Sequence, residues 1–234
     1  LYATLQRLNS TERKLITVED PVEYQLDGIS QIQVNPAVGM GFPDMLRSVL
    51  RHDPDVIMVG EIRDLETARI AVQSALTGHV VLSTLHTNDA PGAVARLMDM
   101  GIEPFLIASA LNGVMAQRLA RALCTACKRP MRAADEVLRM AAALGIGGTD
   151  EATCYEAAGC GDCGGTGYSG RTAIFELLDV TDGLRATVLD RPDGARLRIA
   201  AERDGLRSLR HDGMRKVLAG LTTAEEVLRV TQEQ

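Results

Sequence analysis

The amino-acid sequence predicts an α/β fold in which a mostly parallel sheet carries flanking helices. Apolar runs of strand length alternate with segments of helical periodicity, and three of the predicted strands end in polar residues capable of chemistry. Parallel strands collect their carboxyl ends at one edge of a sheet, which is where open α/β folds bind ligands. The chain also contains two C-x-x-C pairs, a pattern that points to metal more than to disulfides.

Composition limits the class of protein. The chain of 234 residues is long enough for one large or two small domains, and 46% of it is hydrophobic, as in globular proteins. The net charge of −6 and the absence of Trp argue against nucleic-acid binding and base stacking. No apolar run approaches the roughly 18 residues of a membrane span, and no signal peptide is recognisable. The chain begins without Met, so we expect it to be part of a longer protein.

The stretch from Leu50 to Asp64 organises the predicted sheet. Four apolar residues, Val56 to Val59, have the character of a strand that is buried on both faces. Gly60 then permits a sharp turn, and Glu61 follows at the carboxyl edge, where an acid can position a water molecule beside phosphate and metal. Taken alone, this stretch is explained equally well by an ordinary strand that ends in a solvated glutamate.

A second predicted strand, residues 14–18, leads into an acidic cluster. Glu19, Asp20 and Glu23 place three carboxylates within five residues, and carboxylates at that density repel one another unless they share a cation. Pro21 prevents the strand from continuing in a regular ladder. Taken alone, the cluster is best explained as a solvated acidic turn, so its interpretation depends on the neighbouring motifs.

A third apolar strand, residues 79–84, has a histidine at each end. His79 begins it and His86 follows it, and a lone histidine is usually a structural, hydrogen-bonded residue. Two histidines beside acidic strand ends are better explained together as phosphate contacts or sensors. The other elements predicted for this half are a weaker strand at residues 31–34, helices at residues 43–51 and 65–76, and helices that begin near Asp89 and after Pro104.

Four cysteines form two pairs that are separated by 32 residues: Cys124 with Cys127 and Cys160 with Cys163. Four thiolates complete a tetrahedral zinc site, so the pattern predicts a structural Zn²⁺ with no open position for catalysis, in preference to redox thiols. The spacer is longer than in a usual zinc ribbon and is predicted to contain a helix at residues 135–144. Cys154 is predicted to be a spare thiol.

The rest of the chain is predicted to return to the sheet and then to become helical. The glycine-rich residues 164–170 lack the lysine of a phosphate loop and are interpreted as the exit from the zinc knuckle. Residues 171–178 are predicted to be a strand that returns to the main sheet. Beyond residue 181 the chain reads as helical, and Thr222 to Glu225 forms a predicted capping box.

Together, these motifs resemble the secretion ATPase superfamily, most closely the branch that assembles type IV pili and drives type II secretion. Residues 50–64 fit the signature L-R-x-x-P-D-x-[apolar]3-G-E-[apolar]-R-D at every defined position. Residues 16–23 resemble the aspartate box of the family, and residues 78–86 resemble its histidine box. The paired cysteines resemble the tetracysteine insert of the assembly and secretion members, and residues 170–176 resemble the strand that follows it.

The resemblance implies a RecA-like core that hydrolyses ATP with Mg²⁺ as one subunit of a homo-hexamer. The residues that it assigns to catalysis are Glu61, Glu19, His79 and His86. Glu61 is expected to orient or deprotonate the attacking water, and the two histidines are expected to sense the γ-phosphate. Glu19 and Asp20 are expected to contact Mg²⁺ or its bound waters, and Glu23 is expected to contribute less. These three acids are called the magnesium side below. Arg63 is expected to pair with acids inside the site rather than to contact a neighbouring subunit.

The phosphate loop of the family, G-x-x-x-x-G-K-[ST], precedes the segment that resembles Leu1 to Leu5 and is not among these 234 residues. We therefore expect the chain alone not to hydrolyse ATP measurably. The family's N-terminal subdomain is likewise expected to lie outside the chain. The parts expected are residues 1–123 as a RecA-like core without its phosphate loop, 124–163 as the zinc insert, 164–180 as a returning strand of the core and 181–234 as a helical C-terminal subdomain.

The implied partners are the inner-membrane platform proteins of a secretion or pilus system. The protein is then cytoplasmic and reaches the membrane through those partners, without inserting into it and without binding nucleic acid. Two alternatives stay open. One is a non-catalytic, zinc-stabilised assembly module, and the other is a RecA-like DNA motor or zinc-ribbon nucleic-acid binder, against which the acidic balance argues.

Overall fold

A computed structural model describes residues 1–35, 37, 39–146 and 152–232. The chain divides into two compact units, each of which is assembled from more than one stretch of sequence. The first unit consists of Leu1–Thr87, Pro91–Asn112 and Val180–Ala200, and the second of Asn88–Ala90, Gly113–Asp179 and Ala201–Gln234. This division does not follow the predicted boundaries, and residues 147–151 of the predicted zinc insert lie outside the described part.

Helices and strands alternate along the first half of the chain, as the sequence predicts. The strands are β1 Leu15–Glu19, β2 Ser30–Gln33, β3 Val56–Val59, β4 Val80–Ser83, β5 Gly113–Leu123, β6 Arg129–Arg132, β7 Thr153–Glu156 and β8 Tyr168–Asp179. The helices are α1 Tyr2–Leu8, α2 Phe42–Val49, α3 Leu65–Leu76, α4 Ala90–Asp99, α5 Pro104–Ala110, α6 Asp135–Ala143, α7 Asp182–Leu189, α8 Gly194–Arg203, α9 Leu209–Leu218 and α10 Ala224–Thr231. In the part of the chain that is described, no helix combines the length and the apolar character that crossing a bilayer requires.

The first unit is built on a four-stranded, all-parallel sheet in the order β2-β1-β3-β4. Leu15 lies beside Val56, and Val56 lies beside Val80, so the three strands start level and their carboxyl ends share one edge. Every residue of β1 and β3 is buried, which confirms the prediction that the strand Val56–Val59 is covered on both faces.

Helices α1 and α3 show why the sequence folds locally as it does. Leu5 on α1 is fully buried against Leu15 and Met58, so α1 lies across one face of the sheet. Asp64 caps α3 as predicted, because its carboxylate accepts a hydrogen bond from the backbone N–H of Thr67 at 2.8 Å. The helix therefore begins immediately after the loop that follows β3.

The second unit is organised by the long antiparallel pair of β5 and β8. The predicted strand at residues 171–178 is present within β8, but the prediction that it returns to the main sheet is wrong, because β8 pairs along its length with β5. The strand β5 was not predicted, since its residues, rich in Ala, Arg and Leu, have the composition of a helix. Cross-strand pairing overrides that local preference.

The cysteine-bearing insert shares its hydrophobic core with the C-terminal helices. Its predicted helix is present as α6, which lies in the chain between the antiparallel strands β6 and β7. The insert and the helices α9 and α10 pack into the same core within the second unit. The buried residues that insert and helices contribute to one apolar cluster are Ala133, Ala141, Cys154, Met214, Val217 and Val227.

Helix α10 begins one residue later than the predicted capping box. Thr223 caps it by accepting the N–H of Glu226, whereas the hydroxyl of Thr222 donates to the carbonyl of Arg121 at 2.8 Å. Glu226 is fully buried and accepts guanidinium hydrogen bonds from Arg229 and Arg121 at 2.5–2.9 Å. The hydrogen bond from Arg229, followed by those from Arg121, outweighs burial and holds the pKa of Glu226 far below its ordinary value.

We predict that Glu226→Ala lowers the free energy of unfolding by about 2–4 kcal/mol at neutral pH, because three charge-assisted hydrogen bonds are lost. The folded-state pKa lies below the ordinary value of 4.5, so this stabilisation is present above that pH and is lost as the pH falls. Urea unfolding at pH 7 and pH 3.5 measures both effects. Glu225→Ala, which removes an exposed acid from the same helical turn, is the matched control. Equal effects of the two substitutions would contradict the role of Glu226.

Candidate functional site

The strand order places a topological switch point between β1 and β3. The chain leaves β1 for β2 on one side and leaves β3 for β4 on the other, and a crevice opens at the carboxyl ends where these directions diverge. Glu19 is the last residue of β1, and Glu61 follows β3 after a single glycine. The structure therefore brings these two predicted acids to neighbouring strand ends.

Gly60 sits against β1 at this point. Its N–H donates to the carbonyl of Val18 at 2.8 Å, and a Cβ built on it would lie 3.3 Å from that oxygen and 3.4 Å from the Cα of Glu19. Gly60 does not have a positive φ. The chain bends at Gly60, as expected, and the missing side chain also permits the close approach of the two backbones.

Glu61 is held by two basic side chains. Its Oε2 accepts hydrogen bonds from Nε of Arg63 at 2.6 Å and faces Nε2 of His86 at 3.1 Å, while the side chain of Glu61 is only 13% exposed. Burial raises the pKa of Glu61, but hydrogen bonding to Arg63 and His86 outweighs it, so the pKa lies below its ordinary value. The predicted pairing of Arg63 with an acid of the site is present.

Glu19 is buried among neutral donors. Its Oε1 accepts from the hydroxyl of Thr17 and from Nε2 of Gln31 at 3.0 Å, and its Oε2 accepts from the phenol of Tyr2. Thr17 and Glu19 share a face of β1, Gln31 lies on β2 and Tyr2 lies on α1. Three different elements thus fix the orientation of one carboxylate.

An open cleft of about 520 Å³ lies at this edge of the sheet. Its wall includes the acids Glu19, Asp20, Glu23 and Glu61, together with His86. Asp20 and Glu23 are exposed there, in contrast to the buried Glu19. Among the described residues, only the four paired cysteines lie close enough together to hold an ion directly, so these acids could reach a divalent cation only through its bound waters.

His79 is not part of this cleft. It precedes β4, at the opposite end of that strand from His86, and its Nδ1 lies 2.9 Å from the carbonyl of Ser74 and 3.1 Å from Oγ1 of Thr77. The four residues of β4 span roughly 13 Å. The expectation that His79 acts beside His86 at one rim is therefore not met within the first unit, and His79 closes the C-terminal end of α3 instead.

Sequence reasoning missed several residues that position the cleft. Thr84 donates its hydroxyl to the carbonyl of Gly60 at 2.7 Å, and Ser83 donates to that of Val59 at 2.8 Å, so the end of β4 is tied to the end of β3. Period-two alternation along β1 could have paired Thr17 with Glu19. Tyr2 lies 17 residues from Glu19, and no spacing rule connects positions on different elements.

The four paired cysteines converge in the second unit, as predicted. The Sγ atoms of Cys124, Cys127, Cys160 and Cys163 all lie within 4.8 Å of one another. Three of the separations are 3.8, 3.9 and 4.0 Å, close to the roughly 3.8 Å between sulfurs around a tetrahedral ion with 2.3 Å bonds. The donor set and the geometry therefore fit a bound metal ion, whereas Cys154 is buried in the apolar cluster described above.

Backbone amides prepare the metal site for thiolate. Sγ of Cys163 accepts the N–H groups of Cys160 at 3.2 Å and Gly167 at 3.1 Å. The amide of Cys160 is the main cause that lowers the pKa of Cys163 to about 6, whereas burial, followed by hydrogen bonds to the other thiols, raises the pKa of Cys127 to about 12. A cation shared by the four sulfurs stabilises their ionised forms.

An open parallel sheet with acids at its switch point defines an α/β protein with a candidate ligand site at the carboxyl edge, here accompanied by four cysteines that could hold a metal ion. The chain belongs to the type II/IV secretion system protein family, whose model matches residues 1–229. This match confirms the resemblance that the motifs indicate, and it does not favour a DNA motor.

Individual relatives agree with this assignment. The chain is 55% identical to the type II secretion system protein E of Pseudomonas aeruginosa over 234 residues, and 51% identical to the type IV pilus assembly ATPase PilB of Myxococcus xanthus over 228 residues. All of this chain is covered in the first match and 97% in the second, but the chain spans only 46% and 40% of the lengths of those proteins.

The same likeness holds for a solved structure. The pilus retraction motor PilT with bound ADP has a TM-score of 0.69 and 26% sequence identity to this chain, and the match covers 99% of this chain and 57% of PilT. The predicted α/β fold is thus confirmed by a solved structure as well as by the sheet itself.

We predict that Cys160→Ser lowers the metal content from about one ion per chain to near zero, because one of four thiolate ligands is removed. Mass spectrometry under native conditions measures the content. Cys154→Ala is the matched control and should retain the ion. Chelation should expose β6, β7 and α10 to hydrogen exchange and leave β3 protected, because the insert and α10 share one core. A metal-free wild-type protein, or unchanged exchange after chelation, would argue against a structural ion.

Proposed function

We propose that this chain supplies the acidic side of an ATP-hydrolysing site in a motor for type II secretion or type IV pilus assembly. The observation that carries the proposal is the placement of Glu61 and Glu19 at the switch point of a parallel sheet. Membership of the type II/IV secretion system protein family and 51% identity to a pilus assembly ATPase support it.

Glu61 orients the attacking water in this proposal. Arg63 and His86 lower its pKa, so the carboxylate is ionised at neutral pH and is a weak base. A weak base suits a phosphoryl transfer whose loose transition state demands little proton removal from the nucleophile. Positioning the water, rather than deprotonating it, is therefore the role that this environment supports.

Glu19, Asp20 and Glu23 form the proposed magnesium side. Bound Mg²⁺ supplies charge neutralisation on the phosphates. The three partners of Glu19 are a phenol, a hydroxyl and an amide, so they orient its carboxylate without neutralising it. The exposed Asp20 and Glu23 can accept hydrogen bonds from metal-bound waters, since Mg²⁺ usually keeps several of them.

His86 is the proposed γ-phosphate sensor. Its imidazole is 79% exposed and touches Glu61, so a phosphate oxygen that replaced this carboxylate as its partner would change the position of the loop after β4. His79 does not lie at the cleft, so the proposal gives it no role as a phosphate sensor. The tetracysteine site is proposed to hold Zn²⁺ in a structural role, because four thiolates leave no open coordination position.

The working motor is proposed to be a homo-hexamer on the cytoplasmic side of the inner membrane, docked on the platform proteins of its secretion or pilus system. Residues 1–234 contain no G-x-x-x-x-G-K-[ST] segment. We therefore propose that a phosphate loop from outside these residues completes the site, and that the 234-residue chain alone does not turn over ATP.

We predict that Glu61→Gln lowers kcat for magnesium-dependent ATP hydrolysis by about 10²–10³-fold in the protein as its gene encodes it. Phosphate release measures the rate. Glu66→Gln is the matched control, because Glu66 is exposed on α3 and pairs with Arg47 away from the cleft. An unchanged rate for Glu61→Gln would refute the assignment of Glu61. The absence of any turnover in the gene-encoded protein would favour the non-catalytic assembly module.

A further inference from the structure

We infer that Tyr2 is a positioning residue that couples helix α1 to both the buried and the exposed acids of the cleft. The inference rests on the ATPase function proposed above and adds a residue that none of the sequence motifs contains. Tyr2 lies in the first turn of α1 and lines the cleft.

One phenol oxygen spans the acidic segment. Tyr2 donates its single hydroxyl proton to Oε2 of Glu19, and the same oxygen accepts the backbone N–H of Glu23 at 3.1 Å. The hydroxyl therefore closes a chain of two hydrogen bonds from Glu23 through Tyr2 to Glu19. Both ends of residues 19–23 are thus hydrogen-bonded to one atom on α1. Hydrogen bonds arranged in such a chain strengthen one another.

The two oxygens of Glu19 are held from different sides. Thr17 and Gln31, which belong to the sheet, hold Oε1, whereas Tyr2 holds Oε2. Removal of the phenol hydroxyl leaves a buried carboxylate oxygen without this donor and releases the N–H of Glu23. The carboxylate can then rotate about the contacts to Oε1, which misplaces the oxygen nearest α1.

The ring of Tyr2 is itself fixed, so the hydroxyl has a defined position. It packs edge-on against Tyr24, with ring centroids 4.4 Å apart and planes at 83°. Leu5, one turn further along α1, is fully buried in the core of the sheet. A displacement of the first turn of α1 is therefore transmitted to Glu19 and Glu23 together rather than absorbed by a loose side chain.

Tyr2→Phe and Tyr24→Phe are a matched pair that tests the inference in the protein as its gene encodes it. Each removes one hydroxyl and keeps the ring pair. We expect Tyr2→Phe to lower kcat by about 10–100-fold and to raise the Mg²⁺ concentration at half-maximal rate, with the KM for ATP changed less than kcat. Tyr24→Phe should stay within about twofold of wild type, because its hydroxyl does not touch the acids of the cleft.

A spectroscopic readout checks the contact independently of activity. The backbone N–H of Glu23 donates to the phenol oxygen of Tyr2, so by NMR it should exchange with solvent faster in Tyr2→Phe than in Tyr24→Phe. Equal exchange rates in the two variants would overturn the contact, whether or not the variants are active.

The Glu61→Gln and Tyr2→Phe experiments together distinguish a failure of the proposed function from a failure of the inference about Tyr2. If Glu61→Gln abolishes turnover while Tyr2→Phe matches Tyr24→Phe, the proposed function stands and the inference about Tyr2 is wrong. If Glu61→Gln leaves turnover intact, the assignment of Glu61 in the proposed function is wrong, and the comparison of Tyr2→Phe with Tyr24→Phe still decides the inference about Tyr2. Loss of kcat in Tyr2→Phe with an unchanged Mg²⁺ dependence would also refute the inference. That result is expected of a general structural defect, which lowers the rate without acting on the acids assigned to magnesium.

Discussion

The backbone contact between Gly60 and β1 is the constraint on which the cleft depends. The N–H of Gly60 extends the ladder between β1 and β3 by one bond beyond the strands, to the carbonyl of Val18. Glu19 and Glu61 are the next residues on either side of that bond, so their separation is set by main-chain geometry rather than by side-chain packing. A side chain at position 60 would meet the carbonyl of Val18 at 3.3 Å and press the two strand ends apart.

The same edge gives its two buried acids opposite surroundings. Glu61 is paired with the guanidinium of Arg63 and the imidazole of His86, whereas Glu19 is surrounded by neutral donors. Two carboxylates in different environments usually have different tasks. In the proposed function, pairing with Arg63 suits Glu61 to accept a hydrogen bond from the attacking water without removing its proton. A carboxylate oriented by neutral groups, as Glu19 is, keeps its charge available for a cation, which is why the proposal assigns Glu19 to magnesium.

Short sequence patterns were sufficient to predict those features that depend only on neighbouring residues. The buried run Val56 to Val59, the acid after it and the two cysteine pairs were all placed by sequence, because each depends on burial or on short spacing. Relations between distant elements were not predictable. The pairing of β5 with β8 contradicts the helical composition of β5. The position of His79, in contrast, could have been predicted, because it precedes β4 and so lies at the amino end of a parallel strand, away from the carboxyl edge. The phenol of Tyr2 meets Glu19 only after α1 has packed on the sheet.

The residues around the four cysteines contact parts of the second unit outside the insert itself. The N–H of Cys124 donates to the carbonyl of Gly167, next to the second cysteine pair, and Nζ of Lys128 donates to the carbonyl of Gly220 between α9 and α10. A Cβ at Gly220 would lie 2.5 Å from the ring of Tyr155 on β7, so that turn and the insert are in direct contact. The insert, α9 and α10 also contribute side chains to one apolar cluster, among them Ala141, Met214 and Val227. An ion held by the four thiolates would therefore stabilise the insert together with α9 and α10, rather than the insert alone.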